Sequence, residues 1–124
     1  MRLDKLVKTT VDAIDDIKGR DVKVLDVRKL TSLFDKIVIA SADSTRQAKA
    51  LANNVQEKVK AAGAKVYGVE GEQAGEWILV DLGAVVVHIM QPAIRQYYNL
   101  EELWTPPRAV RRRAPAAAAT AADE

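Results

Sequence analysis

The sequence predicts a single α/β domain: a mixed sheet of about five strands packed with helices. Two stretches, Leu3 to Ile17 and Thr45 to Ala62, space their apolar residues as helices do. Several short runs rich in Val, Ile and Leu lie between and after them, with Gly, Ser or Pro at the junctions. At 124 residues the chain has room for one compact core and is too short for two domains of ordinary size.

In the first element Leu3, Leu6, Val7, Ile14 and Ile17 share a face, with Asp4, Lys8, Asp12 and Asp15 between them, and Gly19 offers a stop. Val22 to Val27 then reads as a strand and Ile37 to Ile39 as a second. Between them Thr31 and Ser32 compete for backbone hydrogen bonds, so Arg28 to Asp35 is a connecting loop. Asp43 or Ser44 caps the second helix, which is rich in Ala, Gln, Lys and Leu and ends at Gly63. A short strand, Val66 to Val69, precedes a loop from Glu70 to Glu76 framed by Gly68, Gly71 and Gly75. Trp77 to Leu82 and Val85 to Met90, separated by Gly83 and Ala84, form a hairpin. Pro92 suits the first turn of a short helix through Tyr98, and Leu100, Leu103 and Trp104 close the folded part. The expected order is α-β-β-α-β-β-β-α.

Residues 1–104 therefore form the domain. From 105 to 124 the composition shifts to Pro106, Pro107, an arginine cluster, Pro115 and an alanine-rich end. A short alanine segment without an apolar face is marginal as a helix in water, so this tail is expected to be disordered. It also explains the net charge of +2. Removing Arg108, Arg111, Arg112 and Arg113, with Asp123 and Glu124, from totals of 19 basic and 17 acidic residues leaves 15 of each for the domain. A neutral body lacks the basic excess expected of a domain that grips nucleic acid through phosphates.

The absence of cysteine excludes disulfides, thiolate metal sites and a thiol nucleophile, and fits a reducing compartment. Met1 to Leu6 mixes charges with leucine and lacks the apolar core of an export signal. The longest apolar stretch, Trp77 to Met90, is broken by Asp81, Gly83 and His88 and is too short to span a bilayer as a helix. No membrane association is expected, and the cytoplasm is the expected location.

The inventory for catalysis is poor. The single histidine, His88, sits inside an apolar strand without a serine or carboxylate beside it, which favours a structural or interface role over acid–base work. Asp26 and Asp81 are the one tempting pair for a metal, but no Asp-x-Asp spacing or second histidine supports them. The turn at Ser41 to Ser44 lacks the glycines that expose backbone amides to phosphate. No catalytic residue, metal or cofactor is expected, and the chain is not expected to be an enzyme.

Strand parity is more informative, because alternate residues point to opposite sheet faces. Ile78, Val80 and Leu82, with Val85, Val87 and Ile89, form a wholly aliphatic face that should meet the helices. The other parity presents Trp77, Leu79 and Asp81 beside Val86, His88 and Met90, a mixture suited to a binding surface. The competing expectation is that helices cover both faces and bury Trp77. Trp104 is expected to serve packing.

Several ordered strings then carry a resemblance. They are Val24-Leu25-Asp26-Val27-Arg28, Asp35-Lys36-Ile37-Val38-Ile39-Ala40, Val69-Glu70-Gly71-Glu72, Glu76 through Gly83, Val86-Val87-His88-Ile89-Met90 and Arg95 through Trp104. From about Leu3 to Trp104 the chain resembles the Iojap/RsfS family of ribosomal silencing factors. The resemblance implies a fold similar to nucleotidyltransferases without their activity. It also implies binding to protein fourteen of the large ribosomal subunit, on the intersubunit face. Occupying that protein would block subunit joining and damp translation when nutrients are short.

By residue, the resemblance implies contacts through Trp77, Leu79, His88, Met90 and Tyr98, with Glu70 and Asp81 as polar partners for basic groups. The family often has glycine where this chain has Ala42, which weakens any phosphate-binding reading. The alternatives are a nucleotide-binding or nucleotidyltransferase-like enzyme using Asp26 and Asp81, and an RNA binder acting through the tail. A weak ribosomal RNA contact by the tail is compatible with the docking reading. The free protein is expected to be a monomer or weak homodimer, since an exposed apolar sheet face can pair with itself.

Overall fold

The structure, a computed structural model, describes residues 1–104. The expected tail falls outside them. In chain order the elements are α1 (Leu3–Asp16), β1 (Arg20–Asp26), β2 (Lys36–Ser41), α2 (Thr45–Ala61), β3 (Gly68–Glu70), β4 (Trp77–Asp81), β5 (Val85–Met90), α3 (Pro92–Tyr98) and α4 (Leu100–Leu103). The strands form one mixed sheet in the order β1-β2-β5-β4-β3. Only β2 and β5 run parallel; the other neighbours are antiparallel. After α2 the chain enters the sheet at the far edge and works back through a hairpin to place β5 beside β2.

α1 buries Leu6, Thr10, Ala13 and Ile14, a stripe at helical spacing. The Thr10 hydroxyl is satisfied by donating to the Leu6 carbonyl at 2.8 Å. The helix does not end as the sequence suggested. Lys18, not Gly19, takes the left-handed conformation (φ 62°), and the Gly19 N–H closes the end on the Ile14 carbonyl at 2.9 Å. Gly19 is needed for space: a Cβ there would stand 2.3 Å from Ile14 Cγ2.

Ser44, rather than Asp43, caps α2, its hydroxyl accepting from the Gln47 N–H at 3.0 Å while the Gln47 side chain accepts from the Asp43 N–H at 2.6 Å. Asp43 instead pairs with Arg20 at the start of β1. β1 begins two residues earlier than expected, at Arg20, with an irregularity in its register before Lys23. The third strand is shifted too: it is Gly68–Glu70, because those residues and not Val66 find ladder partners on β4. A further one-turn helix, α4, follows α3 across Asn99, which adopts a left-handed conformation (φ 49°).

Both long helices lie on one side of the sheet. Leu51, Val55 and Val59 of α2 and Ile14 of α1 pack on Val38, Ala40, Ile78, Val80, Val85, Val87 and Ile89. Each such side chain contributes on the order of 1.5–3 kcal/mol by leaving water. The aliphatic face expected from parity is this one. The opposite face carries a smaller core of Val27, Ile37, Ile39, Met90 and Leu100, with Leu25, Phe34, Trp77, Ile94 and Trp104 packed against it. That second core is roofed by α3, α4 and residues from the β1–β2 connection. Arg95 fastens the roof. It is almost fully buried, donates to Ser41 Oγ at 2.8 Å, and forks onto Glu101 through two bonds of 3.1 Å.

Candidate functional site

The register of the sheet places the candidate residues in three adjacent rows. One runs Ile39–His88–Leu79–Glu70, the next Ile37–Val86–Asp81–Gly68, and the third Ser41–Met90–Trp77. All point to the face away from α1 and α2. The roof covers Ile37, Ile39 and Met90; Trp77 on β4 packs against the edge of that second core, while Leu79, Asp81 and Glu70 are not part of it. Six of the seven residues sought from sequence, Trp77, Leu79, His88, Met90, Glu70 and Asp81, thus share one face, and Tyr98 reaches it from α3.

Trp77 is the best-positioned side chain of this half. Its indole N–H donates to His88 Nδ1 at 3.0 Å, its ring lies 4.9 Å from that of Tyr98, and it remains partly exposed. Tyr98 in turn meets Tyr97 edge-on at 5.0 Å. Accepting that bond requires His88 Nδ1 to be unprotonated, which places the ring proton of the neutral imidazole on Nε2. Burial agrees, pushing the His88 pKa down to about 4. The histidine is therefore neutral near pH 7 and orients Trp77.

Met90 does not reach the surface. It was expected among the contact residues but is 0% exposed, enclosed by Ile37, Ile39, Val27 and Leu100. The physical reason is its row: Met90 lies on β5 beside β2, under the roof, while its neighbour Trp77 lies one strand further out. The competing expectation, a fully covered face with Trp77 buried, holds for the inner half of the face and fails for the outer one.

Beside Trp77 a shallow groove of about 460 Å³ runs along the outer half, lined by Leu33, Phe34, Tyr67, Glu70, Leu79 and Asp81, with Gly83 and Val86. Asp81 accepts the Gly83 N–H at 2.8 Å, which stabilises the β4–β5 turn; Gly83 itself takes φ 84°. The Tyr67 ring lies against Gly83, where a Cβ would come within 2.8 Å of Tyr67 Cε2. Leu33 (81% exposed) and Tyr67 (61%) form the rim. Neither was singled out from sequence, because both sit in connections where no periodicity assigns a face.

Asp26 and Asp81 do not converge. Asp26 aligns with Lys36 and Val85, the row that faces α1 and α2, whereas Asp81 aligns with Val86 on the opposite face. Asp26 is held far below the usual carboxylate range by its hydrogen bond to the Arg28 side chain, and Lys36 adds a second cation at 3.3 Å. Its partners are structural. Among the described residues no three His, Cys, Asp or Glu groups cluster to hold a metal, and no helix is long and apolar enough to cross a membrane.

Fold and site together define a class: a small mixed-sheet domain with one face sealed by long helices and the other half-roofed, leaving an aromatic and acidic strip open. The chain matches, over residues 1–124, the family described as ribosomal silencing factor during starvation. It is similar to the ribosomal silencing factor RsfS of Chromobacterium violaceum, 53% identical over 104 residues, covering 84% of this chain and 85% of the relative. The corresponding factor of Haemophilus influenzae is 41% identical over 99 residues, 80% of this chain and 97% of the relative. A crystal structure of a Chromobacterium violaceum protein, 51% identical, superposes with a TM-score of 0.83, covering 89% of this chain and 94% of that one. The chain belongs to the ribosomal silencing factor family.

Proposed function

We propose that this chain silences translation by docking the open strip of its sheet on protein fourteen of the large ribosomal subunit, where its bulk hinders the small subunit from joining. The description of its family, ribosomal silencing factor during starvation, supports the silencing part of this reading. The observation that carries the docking surface is the fixed Trp77: partly exposed, braced by His88 and Tyr98, and set beside Leu79 at the edge of an open groove. An aromatic anchor held in place before binding loses little conformational freedom on contact, which is how a few residues come to dominate an interface. Leu79 and Tyr98 extend the apolar area. Glu70 and Asp81 supply acceptors for basic groups, and Met90 supports the strip from beneath. The mechanism is steric and asks no reaction of the protein, which would act in the cytoplasm where subunits meet.

Co-sedimentation with isolated large and small subunits tests the reading. Selective migration with the large subunit, lost in Trp77→Ala while the circular dichroism spectrum is unchanged, is the expected result. Equal migration of the Trp77→Ala protein would remove the assigned surface, and no migration of the parent protein at moderate salt would remove the docking function.

A further inference from the structure

The neutral total of the domain conceals a basic helix. Residues 45–65, α2 and the turn after it, carry Arg46, Lys49, Lys58, Lys60 and Lys65 against Glu57 alone. Residues 66–104 reverse the balance, with Arg95 against Glu70, Glu72, Glu76, Asp81, Glu101 and Glu102. Glu70 and Asp81 belong to the open strip and Glu101 and Glu102 to the roof, whereas α2 covers the other face of the sheet.

The cations of α2 are aligned. With 3.6 residues to the turn, Arg46, Lys49, Asn53 and Lys60 fall within about 60° of one another around the axis. All four are exposed, on the side away from Leu51, Val55 and Val59, which pack on the sheet. From Arg46 to Lys60 the stripe is about 21 Å long at 1.5 Å per residue. That length matches some six steps of a stacked nucleic-acid strand at about 3.4 Å each.

These cations are also unspent. Lys8 of α1 pairs with Asp12 at 2.9 Å, and Arg20 and Arg28 have carboxylates of their own. Among the described residues Arg46, Lys49, Lys58 and Lys60 make no ion pair. The last-turn lysines, Lys58 and Lys60, suit the negative end of the helix dipole. Arg46 does not: it stands in the first turn, where the dipole disfavours a cation and no acidic residue offsets it. A charge placed against local preference points to a use outside the fold.

We propose that the outer face of α2, centred on Arg46, Lys49 and Lys60, binds the phosphodiester backbone of RNA. A row of hydrated cations suits a regular polyanion, while a protein interface needs an apolar centre, and α2 exposes no large apolar side chain. The same lack excludes insertion into lipid, because the apolar side of α2 is already buried in the core. A member of a ribosomal factor family also works among RNA phosphates. The contact does not rest on the docking reading. Since α2 and the open strip lie on opposite faces of the sheet, RNA on one leaves the other free.

Binding of the full-length protein to a fluorescein-labelled oligouridylate, followed by anisotropy, tests the proposal. Three phosphate contacts to a single strand give a log–log salt slope of about −2, so affinity should fall roughly fifteenfold or more between about 50 and 200 mM salt. Arg46→Gln/Lys49→Gln/Lys60→Gln keeps helix propensity and should bind about tenfold more weakly at the lower salt, with the slope flattened by about 2. The charge-preserving Arg46→Lys/Lys49→Arg/Lys60→Arg variant and Trp77→Ala should both bind as the parent does. In the parent, amide shifts induced by the RNA should centre on Arg46 to Lys60 and spare Trp77 to Asp81. A triple Gln variant that binds normally, or shifts centred on the open strip, would overturn the assignment. So would binding that disappears in Arg108→Gln/Arg111→Gln/Arg112→Gln/Arg113→Gln, which would move it to those arginines. A parent that ignores the RNA but binds phosphatidylglycerol vesicles would replace RNA with a membrane surface, and one that binds neither would end the proposal.

Discussion

The two halves of the non-helical sheet face differ in what covers them more than in what they are made of. The inner half, Ile37, Ile39 and Met90, is sealed by α3, α4 and the β1–β2 connection. The outer half, Trp77, Leu79, Asp81 and Glu70, continues the same rows with side chains of similar size and lies open along the groove. A roof of two short helices thus divides one surface into a core and the proposed contact site. Its edge falls between Met90 and Trp77, which are directly opposite each other on adjacent strands. The strongest way to break the comparison is to detach the roof.

Arg95 is the lever, since it ties α3 to Ser41 of β2 and to Glu101 of α4. Arg95→Ala leaves Glu101 without that partner and a part-buried hole above Met90. The expected loss of stability is about 3 kcal/mol, read as a lower midpoint in urea. Docking should fall with it, because Tyr98 leaves Trp77 when α3 shifts. An unchanged midpoint would show that the inner half is held by apolar packing alone.

Acid should act at the boundary. The His88 pKa is lowered from 6.5 to about 4, so between these values the unfolded chain binds a proton that the folded chain does not. Stability is then full above pH 6.5 and declines as pH falls toward 4, by about 3 kcal/mol at most. Protonation also turns Nδ1 into a donor facing the Trp77 indole N–H, another donor, so the indole resonance should move with the same midpoint. A His88→Gln protein should lose this segment of the pH–stability curve. Its persistence in that variant would move the effect to other groups.

How much of this was legible in the sequence follows from which rules govern each half. Period-two alternation assigned Ile78, Val80, Val85 and Val87 to the helical side correctly, because a strand residue cannot change face without shifting register. The same rule put Met90 with Trp77, also correctly, but parity carries no information about coverage. That depends on where α3 and α4 land, through Arg95 and Asn99, and no periodicity encodes it. Gly19 was read as a helix stop, yet steric crowding against Ile14 and Leu51 is what requires it. The groove rim, Leu33 and Tyr67, comes from connections whose side-chain directions are set by tertiary contact. The likeness to the ribosomal silencing factors identified the family, but the boundary between sealed and open needed coordinates.

Trp77→Ala attacks the outer half at the edge where it packs against the second core. Because the side chain is partly exposed and lies at the edge of the second core rather than within it, most of its effect should appear in docking: a loss of about 2 kcal/mol, roughly thirtyfold in affinity. The urea midpoint should move less than in Arg95→Ala. A midpoint shift equal to that of Arg95→Ala would mean Trp77 belongs to the sealed core, and the proposed division would fail.

Ser44→Ala provides the smallest and most selective change. Ser44 caps α2 on the opposite side of the sheet, accepting the Gln47 N–H at 3.0 Å, and touches neither half of the contact face. Removing the hydroxyl should cost about 1 kcal/mol of stability. Affinity for the large subunit, measured well below the unfolding transition, should not change. Two sites that share no hydrogen-bond or ring partner are expected to contribute additively, so Ser44→Ala/Trp77→Ala should show the sum of both effects. A Ser44→Ala protein with weakened docking would couple the helical layer to the open strip through the sheet, and the strip could then no longer be treated as a surface whose contacts are set by the roof's edge alone.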